Sequence, residues 1–583
     1  MLALCLVLLS ASPEAELFED DVTLPKTYTW TELLAELRGQ PLDLNAATAG
    51  QLQQLPWLTL HLAQAIVAHR DSIGGFSSIN ELLAVPGIDA SLVESVRPYL
   101  RVLRTRSPVR VLGTLRAGVE DLAGLSEFTS ADVAERVRVE AGDFRLALVA
   151  DKDVGERDLL DFVAGGLSYQ FQGLRIAAGN FEMHSGQGLL FSRPDADWFG
   201  SGTSLEPHAE HFSLPQGFAE NTLLQGAFLG RRIGPFDAEV FASRNRLDAT
   251  PGPDSGIRSI NYGGIHDDSA SRANRRRLQE DLLGAWLGYA QKGLSLGLGG
   301  YGNRYDQAIN PEVAGFQGRT LDVVSGFADW QYHDYRLGWE VAHTLNHGWA
   351  GAFLMLGDWR QLRVRLDLAY VQREFYSPHS RDRSLSRTHD DLTGTFRLNY
   401  HWSGWGFTLY GTTQRDFILD SMPARLQLSV EKRGSPLQLG LQWKQSFKDE
   451  SWRTAGSRLD VGWTVLPGLS VSGRFDDRFK LVEPGKRGIA YTLGADFNAR
   501  ALDVETRVTR FLVTDQDCRV YAYEIGMPGN NRVFDADGWR AYIAGRVRVA
   551  GFLHLTAKFG GTRTFQTVFD AGLSLDVTVP VLV

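Results

Sequence analysis

Leu426-Gln427-Leu428-Ser429-Val430-Glu431, the turn Arg433-Gly434-Ser435-Pro436, and Leu437-Gln438-Leu439-Gly440-Leu441-Gln442-Trp443 carry the clearest structural pattern of the chain. On both arms apolar side chains fall at every second position. That period belongs to extended chain, where neighbouring side chains point to opposite faces. Two such arms around a Gly/Pro turn read as a hairpin with one apolar and one polar face.

The same pattern runs outward from there. It recurs around the Gly142-Asp143 turn between Val137 and Leu148, in Leu362-Arg363-Val364-Arg365-Leu366-Asp367-Leu368, in Leu502-Asp503-Val504-Glu505, and in Leu573-Ser574-Leu575-Asp576-Val577-Thr578-Val579. In a sandwich a second sheet covers the apolar face. Here charges recur on the other face of strand after strand, which fits a hydrated or plugged lumen with hydrocarbon outside. The fold expected is mainly β: a large antiparallel transmembrane β-barrel over 108–583 with a small all-α N-terminal domain. Counting gives about 24 strands, with 22 or 26 equally permitted because bacterial barrels usually close with even numbers. The longest break, 186–221, is a candidate plug loop. Trp286, Tyr289, Trp330, Trp349, Trp402, Trp405 and Trp443 are expected at strand ends as interfacial girdles. The chain ends Val579-Pro580-Val581-Leu582-Val583, without a terminal aromatic.

Composition agrees without deciding. The 583 residues include 61 glycines and 11% aromatics, and soluble propellers or solenoids share that profile. No apolar run reaches the roughly 18 residues of a helical span. A net charge of −9 gives no general attraction to nucleic acid. Residues 1–15 carry the apolar run Leu2 to Leu9 and then Ser10-Ala11-Ser12, which reads as a secretory signal lacking its basic start. Cys5 would leave with it, so Cys518 is expected as a free thiol.

Residues 16–40 form a lead whose amphipathic segment bears Leu33, Leu34 and Leu37, and 41–100 break into helix-sized pieces. Thr48 with Gln51 and Ser78 with Glu81 read as capping boxes. The hairpins are Leu55-Pro56-Trp57-Leu58-Thr59 and Val85-Pro86-Gly87-Ile88-Asp89. This order resembles the tandem helix-hairpin-helix domain of the competence DNA-receptor family, through Leu44-Asn45, Ala47-Thr48, Leu52, Leu55-Pro56, Ala65-Ile66, Arg70, Phe76, Ser78, Glu81-Leu82 and Pro86-Gly87-Ile88. In DNA-binding members the hairpin is usually Gly-hydrophobic-Gly, which lets backbone N–H groups approach a phosphate. Here Trp57 and Thr59 replace one glycine pair, and Asp89 replaces a glycine of the other. Asp43, Asp71, Glu81, Asp89 and Glu94 face only Arg70 and Arg97, so the module is acidic by about −3. Arg101, Arg104, Arg106 and Arg110 make a basic strip in and beside the linker 101–107.

The whole chain is similar to a family of outer-membrane barrels of Bacteroidetes-like bacteria that carry an N-terminal helix-hairpin-helix domain and have no assigned role. The shared stretches are Leu55-Pro56-Trp57-Leu58, Gly179-Asn180-Phe181, Gly186-Gln187-Gly188-Leu189, and Tyr521-Ala522-Tyr523-Glu524 leading to Trp539-Arg540-Ala541-Tyr542.

Several tempting motifs have plainer readings. Gly297-Leu298-Gly299-Gly300-Tyr301-Gly302 spells a dinucleotide loop, but no helix follows, so a glycine-lined strand is expected. His208-Ala209-Glu210-His211 with Glu206 lacks a helix to set ligand spacing. His184-Ser185 are neighbours on a strand and point apart. Arg275-Arg276-Arg277 beside Asp267, Asp268, Glu280 and Asp281 reads as a solvated charge cluster.

The expectation is therefore a non-enzymatic barrel of the bacterial outer membrane, without cofactor or metal. Its periplasmic module docks a protein partner or occludes the pore through Pro56, Trp57, Leu58, Thr59, Pro86, Gly87, Ile88 and Asp89. Outer-membrane lipid is the other partner. DNA binding or uptake through the module and a porin-like channel are the alternatives, and salt-sensitive DNA retardation separates the first of these.

Overall fold

In the strand Phe236–Leu247 exposure alternates at every residue: Val240 is 51% exposed between Glu239 at 2% and Phe241 at 3%. One side of the wall is therefore covered by protein and the other is open, residue by residue. The computed structural model describes Leu37, most of 41–102 and most of 109–581; it leaves out 193–210, 382–389, 417–423, 525–530 and shorter stretches, chiefly at turns. Among the described residues twenty-four antiparallel strands close into a barrel. Closure is made by Val109–Val119 pairing with Thr567–Val581, with Leu115 opposite Leu575.

The open outer face is apolar around the ring, with Leu167, Leu229, Leu287, Leu298, Leu441 and Leu493 all exposed. Burial by hydrocarbon accounts for such a surface, which is far too large for a protein in water. The chain enters the first strand from the helical module. The tight turns, such as Gly142-Asp143, thus lie at the module's end, and the long connections lie at the other.

Tyr289, Trp330, Trp402 and Trp405 stand at the short-turn end, and Trp349 opens its strand at the long-loop end. Two members of the expected girdle are corrected. Trp286 has the inward parity, is buried, and stacks on Phe327 at 5.4 Å between ring centres. Gly297 and Gly299 make room for it, since a Cβ at either would lie within 2.3 Å of the indole. Trp443 lies at the middle of Leu437–Asp449, because that strand runs past the indole to Asp449. The G-x-G-x-x-G spelling lies within the strand Leu294–Ile309, as its reading required.

The lumen also departs from a uniformly polar interior. One apolar cluster joins Phe181, Phe191, Phe228, Phe241, Trp286, Tyr301, Tyr305, Phe327 and Tyr376 on the inner side of the wall. Strands from Asp391 onward instead carry inward pairs such as Arg458–Asp476 and Arg507–Asp496, at 2.6 and 2.7 Å.

The module packs Leu37, Leu44, Leu52, Leu55, Leu62, Ile66, Phe76, Leu82, Val93, Val96 and Tyr99 into its own core. A parallel pairing of Leu42–Asp43 with Leu100–Arg101 ties its beginning to its end. Thr48 and Gln51 form the expected capping box ahead of Ala49–Leu52. The second box is corrected: Glu81 reaches back to Ser77 rather than Ser78, accepting its N–H at 2.9 Å, and Ile79–Ala84 is a 3-10 turn. The signal, Leu33, Leu34, Arg104 and Arg106 lie outside the described residues.

Candidate functional site: loops in the lumen and a module at the mouth

Glu340 sits on the inner wall with no solvent exposure. Its Oε2 accepts the backbone N–H groups of Gln187 at 2.6 Å and Leu189 at 3.2 Å, and Oε1 accepts the Ser325 hydroxyl at 2.7 Å. The stretch 184–192 is thereby clamped against the wall from inside. Gly186 has φ 47°, and a Cβ there would lie 2.6 Å from the Glu340 carboxylate, so only glycine lets this loop seat. A second long connection enters beside it. Ser192 N–H donates to His379 O at 2.8 Å, Arg381 N–H to Gly188 O at 2.8 Å, and Thr344 Oγ1 to Tyr376 O at 2.8 Å. His379 Nε2 lies 3.2 Å from buried Glu280, which Asn245 and Asn303 also bond. Of the expected plug loop 186–221, 193–210 and 216–219 lie outside the described residues.

Asn180 Oδ1 accepts Gly165 N–H at 3.0 Å while Phe181 enters the lumen cluster. Glu524, from the connection before Asp537–Ala550, meets Arg540 through two 2.7 Å bonds, and Lys558 approaches it at 2.6 Å.

At the long-loop end four carboxyl groups surround His266. Asp161 Oδ2 lies 2.6 Å from Nδ1, Asp248 Oδ2 lies 2.8 Å from Nε2, and Glu156 accepts the backbone N–H at 2.8 Å. Glu220 completes the group. Burial disfavours charge on the ring, yet hydrogen bonds accepted by Asp248, Glu156 and Asp161 outweigh it and hold the imidazolium up to about 10. Burial pushes Glu220 up to about 8. With both ring nitrogens facing carboxylates, the arrangement is a charged clamp on three loops. Arg275 joins it at 2.7 Å from Asp161.

Sequence neighbours proved poor guides to chemistry. His184 Nε2 meets the hydroxyl of Ser213, at 3.1 Å, rather than Ser185. That hydroxyl donates to Glu182 at 3.2 Å, and the same carboxylate lies 3.8 Å from His184 Nε2. His211 stands edge-on to Trp286, 4.9 Å between centres; His208, Glu206 and Glu210 lie outside the described residues. Cys518 is a free, buried thiol, pushed up by burial.

In the module, Trp57 stacks on Tyr99 at 5.5 Å and Leu58 is core; Pro56 and Thr59 lie outside the described residues. Gly87 takes φ 84° at the turn beside Pro86, Ile88 is buried, and Asp89 caps Ala90–Val96 by accepting Leu92 N–H at 2.7 Å. Both arginines are engaged internally. Arg70 donates to Ala47 O at 2.7 Å, and Arg97 to Glu94 and Asn80, each at 2.7 Å. The module meets the barrel rim where Gln51 Nε2 lies 3.4 Å from Glu140, itself bonded to Arg110 at 2.5 Å.

The helix-hairpin-helix motif family matches residues 38–101. Endonuclease/exonuclease/phosphatase family domain-containing protein 1 of Xenopus laevis is 41% identical over 56 residues, and that of Homo sapiens 39%. Each match covers 10% of this chain, and the chain spans only about a tenth of those relatives. Among solved structures, the copper transporter OprC covers 82% of both chains at 10% identity and a TM-score of 0.40. The P pilus usher PapC translocation pore covers 81% of this chain and 99% of its own at 9% identity, TM-score 0.39. Likenesses this slight carry no argument about cargo.

Proposed function

We propose that the chain is a non-enzymatic outer-membrane barrel whose module faces the periplasm and docks a protein partner, while loops of the chain itself occupy the lumen. Short turns on the module's side and long loops on the other are the usual periplasmic and external ends of such barrels. The observation that carries the docking reading is Asp89. Its carboxylate already caps the helix N-terminus to which a phosphate would bind, and repels one as well. Among the described residues of the module's helices, Arg70 and Arg97 are both held internally rather than turned toward a DNA backbone. Exposed Ile73 and Leu83 leave apolar surface for a protein. The glycine turn at Gly87 and the position of the module at the rim suit a fixed platform.

The test uses the full chain in detergent and in cells. A photo-crosslinker at Leu83 should give an adduct sensitive to protease and resistant to nuclease, and duplex DNA should show no salt-dependent retardation. A nuclease-sensitive adduct with steep salt dependence would establish the DNA reading instead.

A further inference from the structure

The outer face around Phe236–Leu247 changes character along its length. Register gives its rows directly. Phe236, Tyr289, Leu296 and Ala328 form one row; Ala238, Leu287, Leu298 and Gly326 the next; Val240, Ala285, Gly300 and Val324 the third. Two rows on, the same face presents Arg244, Asp281, Arg304 and Thr320. Phe236 and Arg244 are eight residues apart, hence about 26 Å along the strand. At a strand tilt of about 40° this is about 20 Å along the barrel axis, close to the roughly 25 Å of an apolar band. The aromatic row and the arginine row therefore lie at opposite interfaces.

The arginine row is at the long-loop end. Arg244 is bonded to Asp281 at 2.5 Å. Arg304, on the far side of that aspartate, and Arg246, in the row above, are exposed, as is Arg277 with the same outward parity. None of these three forms a salt bridge among the described residues. The triplet 275–277 is thus divided: Arg275 serves the His266 clamp, whereas Arg277 is exposed just ahead of the strand Leu278–Gln291. Asp306 and Asp322 are the other acids of the patch, leaving four arginines against three aspartates.

We infer that Arg246, Arg277 and Arg304 bind the phosphate of a lipid headgroup in the leaflet at the long-loop end. Guanidinium groups match phosphate oxygens in pairs, and they keep their charge beside hydrocarbon. A lipid is favoured over a free anion because the patch continues the apolar rows Val240–Val324 and Ala238–Leu298, where acyl chains lie. The inference rests on the membrane reading above and is independent of the module's partner.

The experiment measures binding of a diphosphorylated glycolipid, and of the same lipid without phosphate, to the full chain in micelles. The triple variant Arg246→Gln, Arg277→Gln, Arg304→Gln should bind the phosphorylated lipid at least about tenfold more weakly, and wild type should bind the dephosphorylated lipid as weakly. Arg304→Gln alone, should the triple variant fail to close, is expected to lose about threefold. Unaltered binding by the variants, or equal binding of both lipids, overturns the inference. Displacement of the lipid by inorganic phosphate would make this a free-anion site and overturn it too. Heat-modifiable gel mobility, read in parallel, reports whether the barrel itself is closed, so failure of the membrane reading is seen separately.

Discussion

Glu524 and Arg540 face each other through two parallel 2.7 Å hydrogen bonds, both side chains 2% exposed. Arg540 also holds Asp570, and Lys558 and Arg532 lie close around the two acids. The long connection before Asp537–Ala550 is thereby fastened to the last three strands. Removing one member of such a group leaves the others charged and uncompensated, which costs more than the pair's own net worth. Glu524→Ala should destabilise the folded barrel by about 3–5 kcal/mol, measured by urea unfolding in detergent. Arg540→Lys keeps the charge but not the fork and should fall in between. Wild-type stability in Glu524→Ala would mean the acid is solvated.

Gly186 against Glu340 gives a second expectation. Gly186→Ala places a methyl in the carboxylate's position and forces a left-handed backbone on alanine, so the stretch 184–192 should leave the wall at a cost of about 1–3 kcal/mol. Amide exchange of Gln187 and Leu189, whose N–H groups Glu340 accepts, should rise by about tenfold or more. Unchanged exchange would show that Glu340 does not hold the loop.

The His266 clamp sets a pH dependence with a definite sign. Its ring titrates near 6.5 when unfolded and at about 10 when clamped. A pKa raised by folding stabilises fully below the unfolded value and is lost as pH climbs through the folded one. Glu220, raised from 4.5 to about 8 by burial, points the same way. Loops 153–161 and 261–276 should therefore resist protease at pH 6.5 and become cleavable by pH 10. His266→Gln should be cleaved already at pH 6.5; protection there would contradict the clamp.

Asp89→Ala removes the side-chain cap of Ala90–Val96 and should cost the module about 1 kcal/mol, seen as a lower melting temperature of its helical signal. The same variant should not acquire DNA retardation, since Arg70 and Arg97 remain engaged.

Alternation in Leu426 to Trp443 and the Thr48–Gln51 box were legible because strand parity and helix caps are written by neighbours in the chain. The turn glycine at Gly87 was readable for the same reason. Trp286 was not, because which parity faces the lumen is fixed by the whole wall, and an indole suits either side. The loop attachments were out of reach as mechanisms. Glu340 finds Gln187 across 153 positions, and His266 finds Glu156 across 110. The stretches Gly186-Gln187-Gly188-Leu189 and Tyr521 to Glu524 could be noticed as shared spellings, but nothing nearby says what they hold. Ser213 as the partner of His184 gave no signal at all, being 29 residues away on another segment.

Spin labels at Leu283 and Leu287, both widely exposed on the outer face, report what surrounds the barrel. They would be placed one at a time in a Cys5-free chain reconstituted in lipid, where buried Cys518 is shielded. Hydrocarbon around the barrel predicts strong relaxation by dissolved oxygen and little by a water-soluble nickel chelate at both positions. Preferential relaxation by the chelate would mean that water covers this face, and would contradict a membrane-spanning barrel.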